Sequence, residues 1–240
     1  MQLENIDQID ETEEYGLEHE NEAYDYLDTG LLFNLFSNIL YYIIAIPILW
    51  LLDKIMFNFK IVGKENIQNI SSARITISNH IHPLDCSMNA LANFPSKVYF
   101  TTLESNLETP VTGEIVKLLN GIPIPKEKDD KLKFFNGLKN LLDENKTVHF
   151  YPEGELIPYC EDLREFKSGA FRLSVLSNSP IVPLVFKFVK PYGIRKYIKR
   201  KSFIELHVLP AVYPDLTLDN ADSVNKLKQE CYENMKALLS

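Results

Sequence analysis

An imidazole and a carboxylate stand five residues apart in Ser78-Asn79-His80-Ile81-His82-Pro83-Leu84-Asp85, just after the apolar Ile75 and Ile77. Histidine exchanges a proton near neutrality. A carboxylate that accepts a bond from one ring nitrogen sets the tautomer and leaves the other nitrogen free as a base. Five residues allow the chain to turn at a strand end and bring Asp85 back beside His80. The same stretch admits a second reading, in which His80, His82 and Asp85, with the later His149, form a metal-ligand cluster. Against it, the chain has five histidines, one of them in an acidic tail. Cys86 adjoins Asp85 and is a conceivable nucleophile, although a small buried residue is the simpler assignment. The three cysteines, Cys86, Cys160 and Cys231, are odd in number and widely spaced. Neither a disulfide framework nor a zinc spacing follows, which suits a reducing compartment.

The elements that must position these groups follow from periodicity. Short β-prone runs are expected at 57–63, 74–78, 97–102, 122–124, 147–151, 181–189 and 202–209. Pro123 and Pro125 restrict the 122–124 run to a sheet edge. Helices are expected over 85–93 and 113–120, with Gly121 as C-cap to the second. A third covers 129–145, where Leu132, Phe135, Leu138, Leu141 and Leu142 keep helical spacing and Asp129 or Asp130 caps the start. Helices over 168–178 and through Val224–Leu238 complete the pattern. Strands alternating with helices imply an α/β fold with a central, largely parallel sheet flanked by helices. In such sheets the ligand crevice lies beyond the carboxyl ends of the strands. The His80 turn and the Pro152-Glu153-Gly154 turn both follow strands, so both can face one crevice.

Charge and hydropathy divide the chain further. Of 33 acidic residues, eleven fall in residues 1–30, which hold no Lys or Arg; the 22 that remain face 25 basic residues, a net of +3. Residues 1–28 therefore read as a disordered acidic tail. No cleavable signal peptide is expected from so acidic a start. From Thr29 to Leu52 there is no charge, and Ile39–Leu52 is almost wholly apolar with Tyr41, Tyr42, Trp50 and Pro47. The aromatics suit the headgroup zone and Pro47 is expected to break or kink a helix there. Residues 29–56 are thus expected to form an apolar helical membrane segment that dips into one leaflet rather than spanning the bilayer. A soluble core helix is the competing reading. The basic cluster Arg195–Lys201 suits anionic headgroups or the phosphorylated tail of a cofactor.

Four blocks carry a resemblance in their order and spacing. They are Asn79-His80-x4-Asp85; Gly121-Ile122-Pro123-Ile124-Pro125-Lys126; Phe150-Tyr151-Pro152-Glu153-Gly154 with Phe166-Lys167-Ser168-Gly169-Ala170-Phe171; and Ile181-Val182-Pro183-Leu184. From about Phe57 to Leu209 the chain resembles the glycerophosphate acyltransferase superfamily, which contains the 1-acyl-glycerol-3-phosphate acyltransferases. The resemblance implies an acyltransferase domain over 57–240, with His80 as catalytic base and Asp85 as the carboxylate that orients it. It implies transfer of a fatty acyl group from a thioester, acyl-CoA or acyl-carrier protein, to a hydroxyl of a lysophospholipid in phospholipid synthesis, 1-acyl-glycerol-3-phosphate foremost. No metal or other cofactor is expected, because a thioester is already activated. Membrane lipids are the expected partners, nucleic acid is not, and the expected place is the cytoplasmic face of a membrane.

Glu153 and Gly154 match the acceptor-binding block. Lys126 stands where the second block usually carries Arg, a point charge in place of a bidentate fork. Lys167, Ser168 and Gly169 form a plausible anion site at a helix start. The third block commonly continues with Thr-Arg after Pro-Glu-Gly; here Glu155-Leu156 follow, so one basic residue is missing and an acidic one is added. Arg164 is a candidate replacement for that charge. Two alternatives stay open: a non-catalytic lipid-binding protein of the same fold, and the metal-dependent hydrolase. A binding module has no need of a base, which weighs against the first.

Overall fold

Five consecutive buried residues, Arg74–Ser78, form β2 at the centre of the sheet. In the computed structural model, residues 30–70, 73–126, 128–191 and 203–240 are described. Residues 1–29, which include the acidic tail, and residues 192–202, which include the whole Arg195–Lys201 cluster, lie outside them. The sheet also contains β1 (Lys60–Val62), β3 (Val98–Leu103), β4 (Gly121–Ile124), β5 (Thr147–Phe150), β6 (Ile181–Val189) and β7 (Phe203–Val208). Its order is β1-β7-β6-β2-β5-β3-β4. All neighbours run parallel except β6 and β7, which are antiparallel. β4 is an edge strand, as Pro123 within it and Pro125 just after it require.

Both faces of the sheet are covered, so β6 is buried on alternate sides. Ile181 and Val185 point toward a core shared with α7 (Lys128–Asp143), α8 (Gly169–Ser177) and α9 (Asn220–Leu239). Val182, Leu184 and Phe186 point the other way, toward Met88 and Leu91 of α4 (Asp85–Asn93) and toward Tyr41, Ile46 and Phe57 of the N-terminal helix. This two-sided burial is what a parallel α/β sheet demands. Two short helices, α3 (Glu65–Gln68) and α5 (Ser105–Glu108), were not legible from periodicity. α6 (Thr112–Leu118) is capped by Leu119, and Asn120 after it takes the left-handed conformation at φ 65°. Gly121 is therefore not the cap but the first residue of β4. It is small for a different reason: a Cβ there would lie 2.3 Å from Val116 Cγ1. Asp129 and Asp130 lie inside α7 rather than before it.

The apolar segment is one continuous helix of 27 residues, Leu31–Phe57, long and apolar enough to cross a membrane by length and composition. It comprises α1 (Leu31–Ile39), a π-helical stretch (Leu40–Ala45) and α2 (Ile46–Phe57). Pro47 does not break it. Proline lacks the N–H that the preceding turn needs, and the wider π stretch directly upstream absorbs the mismatch. One face of this helix is tied to the body along its length. Ser37 Oγ donates to Leu118 O at 2.6 Å and receives Lys97 Nζ at 2.6 Å. Tyr42 donates to Pro95 O at 3.0 Å, and Ser87 Oγ donates to Asp53 Oδ2 at 2.8 Å. Phe57 meets the His82 ring edge-on, at 4.8 Å between centroids. The other face exposes Leu32, Phe36, Ile43, Ile48, Trp50 and Ile55.

Candidate active site

β2 delivers the chain to the sheet's carboxyl edge, and Asn79 pins the turn that follows. Its Oδ1 accepts from Phe186 N at 2.8 Å and its Nδ2 donates to Phe186 O at 3.1 Å, tying the turn to β6. α4 then starts at Asp85, so this side chain sits at the helix's first turn, facing back along the turn it closes. His80 Nδ1 and Asp85 Oδ2 are 2.7 Å apart. The same oxygen accepts from Ile81 N at 3.2 Å and His82 N at 3.4 Å. Asp85 Oδ1 accepts from the Tyr151 hydroxyl at 2.7 Å. With Nδ1 held by a buried carboxylate, Nε2 is the basic atom of His80. The His80 side chain keeps 21% exposure while that of Asp85 keeps 1%, so the base is accessible and its orienting partner is not.

The second turn, after β5, closes on the first. Gly154 adopts φ +72°, and a Cβ there would lie 2.8 Å from Lys167 Cε. The backbone angle favours glycine here, and the lysine stem lies over the space a side chain would occupy. Glu153 is buried and its oxygens are occupied. Oε2 accepts from His80 N at 3.1 Å and from Arg164 Nη2 at 2.5 Å, and Oε1 accepts from Arg164 N at 3.1 Å. Arg164 is thus committed to Glu153, and also donates to Glu155 O. It does not stand in for the arginine missing after Gly154.

These turns open on a cavity of about 910 Å³. His80, Asp85, Tyr151, Gly154, Lys167 and Gly169 line it. Its apolar wall draws on the N-terminal helix (Tyr41, Ile46, Leu49) and on Val116 and Leu119. Ser168 precedes α8 and makes no side-chain cap, but its carbonyl accepts from Phe171 N and Arg172 N. Of the residues expected to bind substrate, Lys126 departs most. It is 72% exposed, pairs with Glu104 at 3.3 Å and is not among the cavity-lining residues. The short edge strand β4 ends at Ile124 and releases Lys126 into solvent beside that carboxylate. Glu153 is likewise not among the lining residues. Its carboxylate is spent on holding the two turns together.

Two residues that pattern reading passed over stand on the cavity wall. Lys131 is only 8% exposed. It begins the inward stripe of α7, three, four and seven residues before Phe134, Phe135 and Leu138, and a lysine heading an apolar stripe was the available signal. Tyr151 packs flat on His80, with 3.8 Å between ring centroids and an 18° interplanar angle. Cys86 lines the cavity, and the protein packed around its thiol, then the Asp85 charge, push it up to about 12. A thiol so reluctant to ionise is a poor nucleophile.

The histidines do not converge on a metal. His82 Nδ1 accepts from Leu84 N at 3.1 Å, and its ring lies against Phe57 and Tyr159. His149 is engaged by Thr76 at Nδ1 (2.8 Å) and by Ser78 and Asn89 at Nε2 (3.3 and 3.1 Å). Burial, then the nearby His80 charge, pushes it down to about 3, so it stays neutral. Among the described residues no group of three or more His, Cys, Asp or Glu side chains is placed to hold a metal ion.

The structure of the 1-acyl-sn-glycerophosphate (LPA) acyltransferase PlsC from Thermotoga maritima superposes with a TM-score of 0.52, over 85% of this chain and 95% of that one, at 16% identity. A 1-acyl-sn-glycerol-3-phosphate acyltransferase of Saccharomyces cerevisiae is 27% identical over 186 residues, 75% of this chain and 60% of its own length. The human 1-acyl-sn-glycerol-3-phosphate acyltransferase beta is 35% identical over 99 residues, 41% of this chain and 34% of its own. The chain thus spans 60% and 34% of the length of the yeast and human relatives. The profile of the Acyltransferase family matches residues 58–187, more than half of the chain and every block of the site described above, and the chain belongs to that family.

Proposed function

We propose that this protein transfers a fatty acyl group from a thioester, acyl-CoA or acyl-carrier protein, to a hydroxyl of a lysophospholipid, with 1-acyl-glycerol-3-phosphate as acceptor. The observation that carries this reading is the His80–Asp85 pair, 2.7 Å apart, opening on a large, mainly apolar cavity. The acceptor hydroxyl gives its proton to His80 Nε2 as its oxygen bonds to the thioester carbonyl carbon. The tetrahedral intermediate then collapses, the C–S bond breaks, and the imidazolium returns the proton to the leaving thiolate. General-base help of this kind is worth ~10²–10⁴-fold. The ester formed replaces the thioester, and no covalent enzyme intermediate is needed.

The acyl chain lies along Tyr41, Ile46, Leu49, Val116 and Leu119, and the acceptor's anionic head lies toward Lys131 and Lys167. Gly154 and Gly169 shape that end through backbone rather than side chains, while Ser168 is not among the lining residues. Glu153 acts on position, holding the His80 backbone. The apolar outer face of the Leu31–Phe57 helix seats the protein in one leaflet, because its inner face is bonded to the body at both ends. A body thus held at the surface meets a lipid acceptor from the bilayer and a soluble donor from the cytoplasmic side.

The test is product mass spectrometry of the full chain in vesicles with mixed lyso-acceptors and both donors. A diacyl phospholipid carrying the donor's acyl chain is expected, and no acylated lipid with any pairing would end the proposal. Protease treatment of sealed vesicles is expected to cut the N-terminal tail and the body from the same side. Cuts on opposite sides would mean that the helix spans.

A further inference from the structure

We propose that Tyr151 is a positioning residue for acyl transfer, its hydroxyl holding Asp85 and its ring holding His80, so that the base is oriented from two sides. The inference rests on the function proposed above. Asp85 Oδ2 is bonded by His80 and two backbone N–H groups, while Oδ1 receives the Tyr151 hydroxyl at 2.7 Å. Without Tyr151, one oxygen of a carboxylate with 1% side-chain exposure would lose this donor. The direction of the tyrosine hydrogen is set in turn. The carboxylate can only accept, which gives the hydroxyl proton to Asp85, and Asn89, one helical turn after Asp85 on α4, brings its Nδ2 within 3.2 Å of the Tyr151 oxygen. Asn89 also contacts Ser78 Oγ and His149 Nε2, each at 3.1 Å, and His149 stands edge-on to the Tyr151 ring at 4.7 Å. A buried polar network thus runs from β2 and β5 through Asn89 and Tyr151 to the dyad.

The ring supplies the second restraint. Stacked on His80 at 3.8 Å, it prevents the imidazole from swinging about its bond to Asp85. Burial first, then the charge of Asp85, holds the Tyr151 phenol well above its ordinary value, so it stays a donor throughout the working range. The other ionisable groups facing the dyad are Cys86 on α4, His149 on β5, His82 in the first turn, Glu153 paired with Arg164, and Lys167 over Gly154. Lys131 and Glu155 line the same cavity, and Asp53 bonds Ser87 behind it. None of these donates to Asp85 Oδ1 in place of Tyr151.

Tyr151→Phe removes the hydroxyl and keeps the ring. Steady-state kinetics of the full chain in detergent, with a long-chain acyl-CoA and 1-acyl-glycerol-3-phosphate, should show kcat lowered about ten-fold and both KM values within about two-fold, the pattern of an interaction that matters in the transition state. The acid limb of the kcat/KM profile should move to higher pH, because Asp85 without its second donor holds the imidazolium more tightly. Replacing Tyr151 by 3-fluorotyrosine makes the same hydroxyl a stronger donor without changing the packing, and should move that limb to lower pH. It also keeps the test open if the phenylalanine variant fails to fold. Identical pH profiles for the wild type and the fluorinated protein would overturn the inference. So would a Tyr151→Phe variant that raises the acceptor KM with kcat unchanged, which would make Tyr151 a substrate contact. Wild-type protein run alongside separates the two levels: if it transfers no acyl group, the proposed function itself fails.

Discussion

The two ends of the cavity are built on opposite plans. At the chemical end, the polar groups are held several times over: Asp85 accepts from a ring nitrogen, two backbone N–H groups and a phenol, and Glu153 accepts from the His80 backbone and twice from Arg164. At the proposed acceptor end the charges sit at the tips of long lysine stems. Lys167 reaches over Gly154 and Lys131 enters from α7, while Lys126 leans out to Glu104. Glu155 and Leu156 line that end, one an added negative charge and the other apolar. Proton transfer depends on sub-ångström placement, whereas attraction of a phosphate falls off slowly with distance. A rigid chemical end can therefore coexist with a binding end whose charges are rearranged.

This contrast can be tested from its strongest consequence downward. His80→Ala removes the base and should lower kcat by at least ~10²-fold with the fold intact by circular dichroism; near-wild-type turnover in a folded sample would dissolve the distinction between the two ends. Glu153→Ala should reduce both activity and stability, since it strands a half-buried Arg164 and frees the His80 backbone. A stability loss of roughly 3 kcal/mol by denaturant titration is expected, and an unchanged midpoint would mean that the two turns do not depend on this carboxylate.

At the binding end, Lys131→Ala or Lys167→Ala should raise the acceptor KM about ten-fold or more, leaving the donor KM nearly unchanged, as loss of a charged hydrogen bond requires. Lys126→Ala should stay within about two-fold. If Lys126 proved the larger effect, the assignment of the anion end to α7 would be wrong. The smallest effect concerns Asp53, buried between the N-terminal helix and α4 and pushed up to about 6 by that burial, against the opposing Ser87 bond. Its folded-state value exceeds the unfolded one. Its contribution to stability is therefore fully present below the ordinary carboxylate value and lost as pH rises through about 6. Asp53→Asn should raise Tm by a few degrees at pH 8 and by nothing at pH 4. Equal melting curves at pH 8 would show that the carboxylate is not desolvated there.

Much of this architecture was legible because burial dictates period. The boundaries of β2, α4 and β6 coincide with those expected: Ile75 and Ile77 alternate with polar residues in β2, Asp85 opens α4 directly after the His80 turn, and β6 is a long run rich in Val, Ile and Phe. α3 and α5 were not, because four residues are too few to establish a helical period. The pairing of His80 with Asp85 was legible from spacing, but Tyr151's bond to Asp85 was not. It joins residues 66 apart in sequence, and nothing local announces such a contact. Glu153 illustrates the same limit. Its type and place suggested a ligand, and only the neighbouring Arg164 and His80 amides, brought together by the fold, account for both of its oxygens. Pro47 was expected to break or kink the helix because the rule for proline assumes a regular α-helix; the π stretch before it removes that premise, and the helix continues without a break.

The central claim is direct, base-assisted transfer from a thioester to a lipid hydroxyl. Thiol release from a long-chain acyl-CoA by the wild-type protein in vesicles, followed continuously with and without 1-acyl-glycerol-3-phosphate, tests it most directly. The account predicts that thiol appears only when acceptor is present, one thiol for each diacyl product, with no acyl group left on the protein. Thiol release at the same rate without acceptor, or an acyl group found on Cys86, would contradict it.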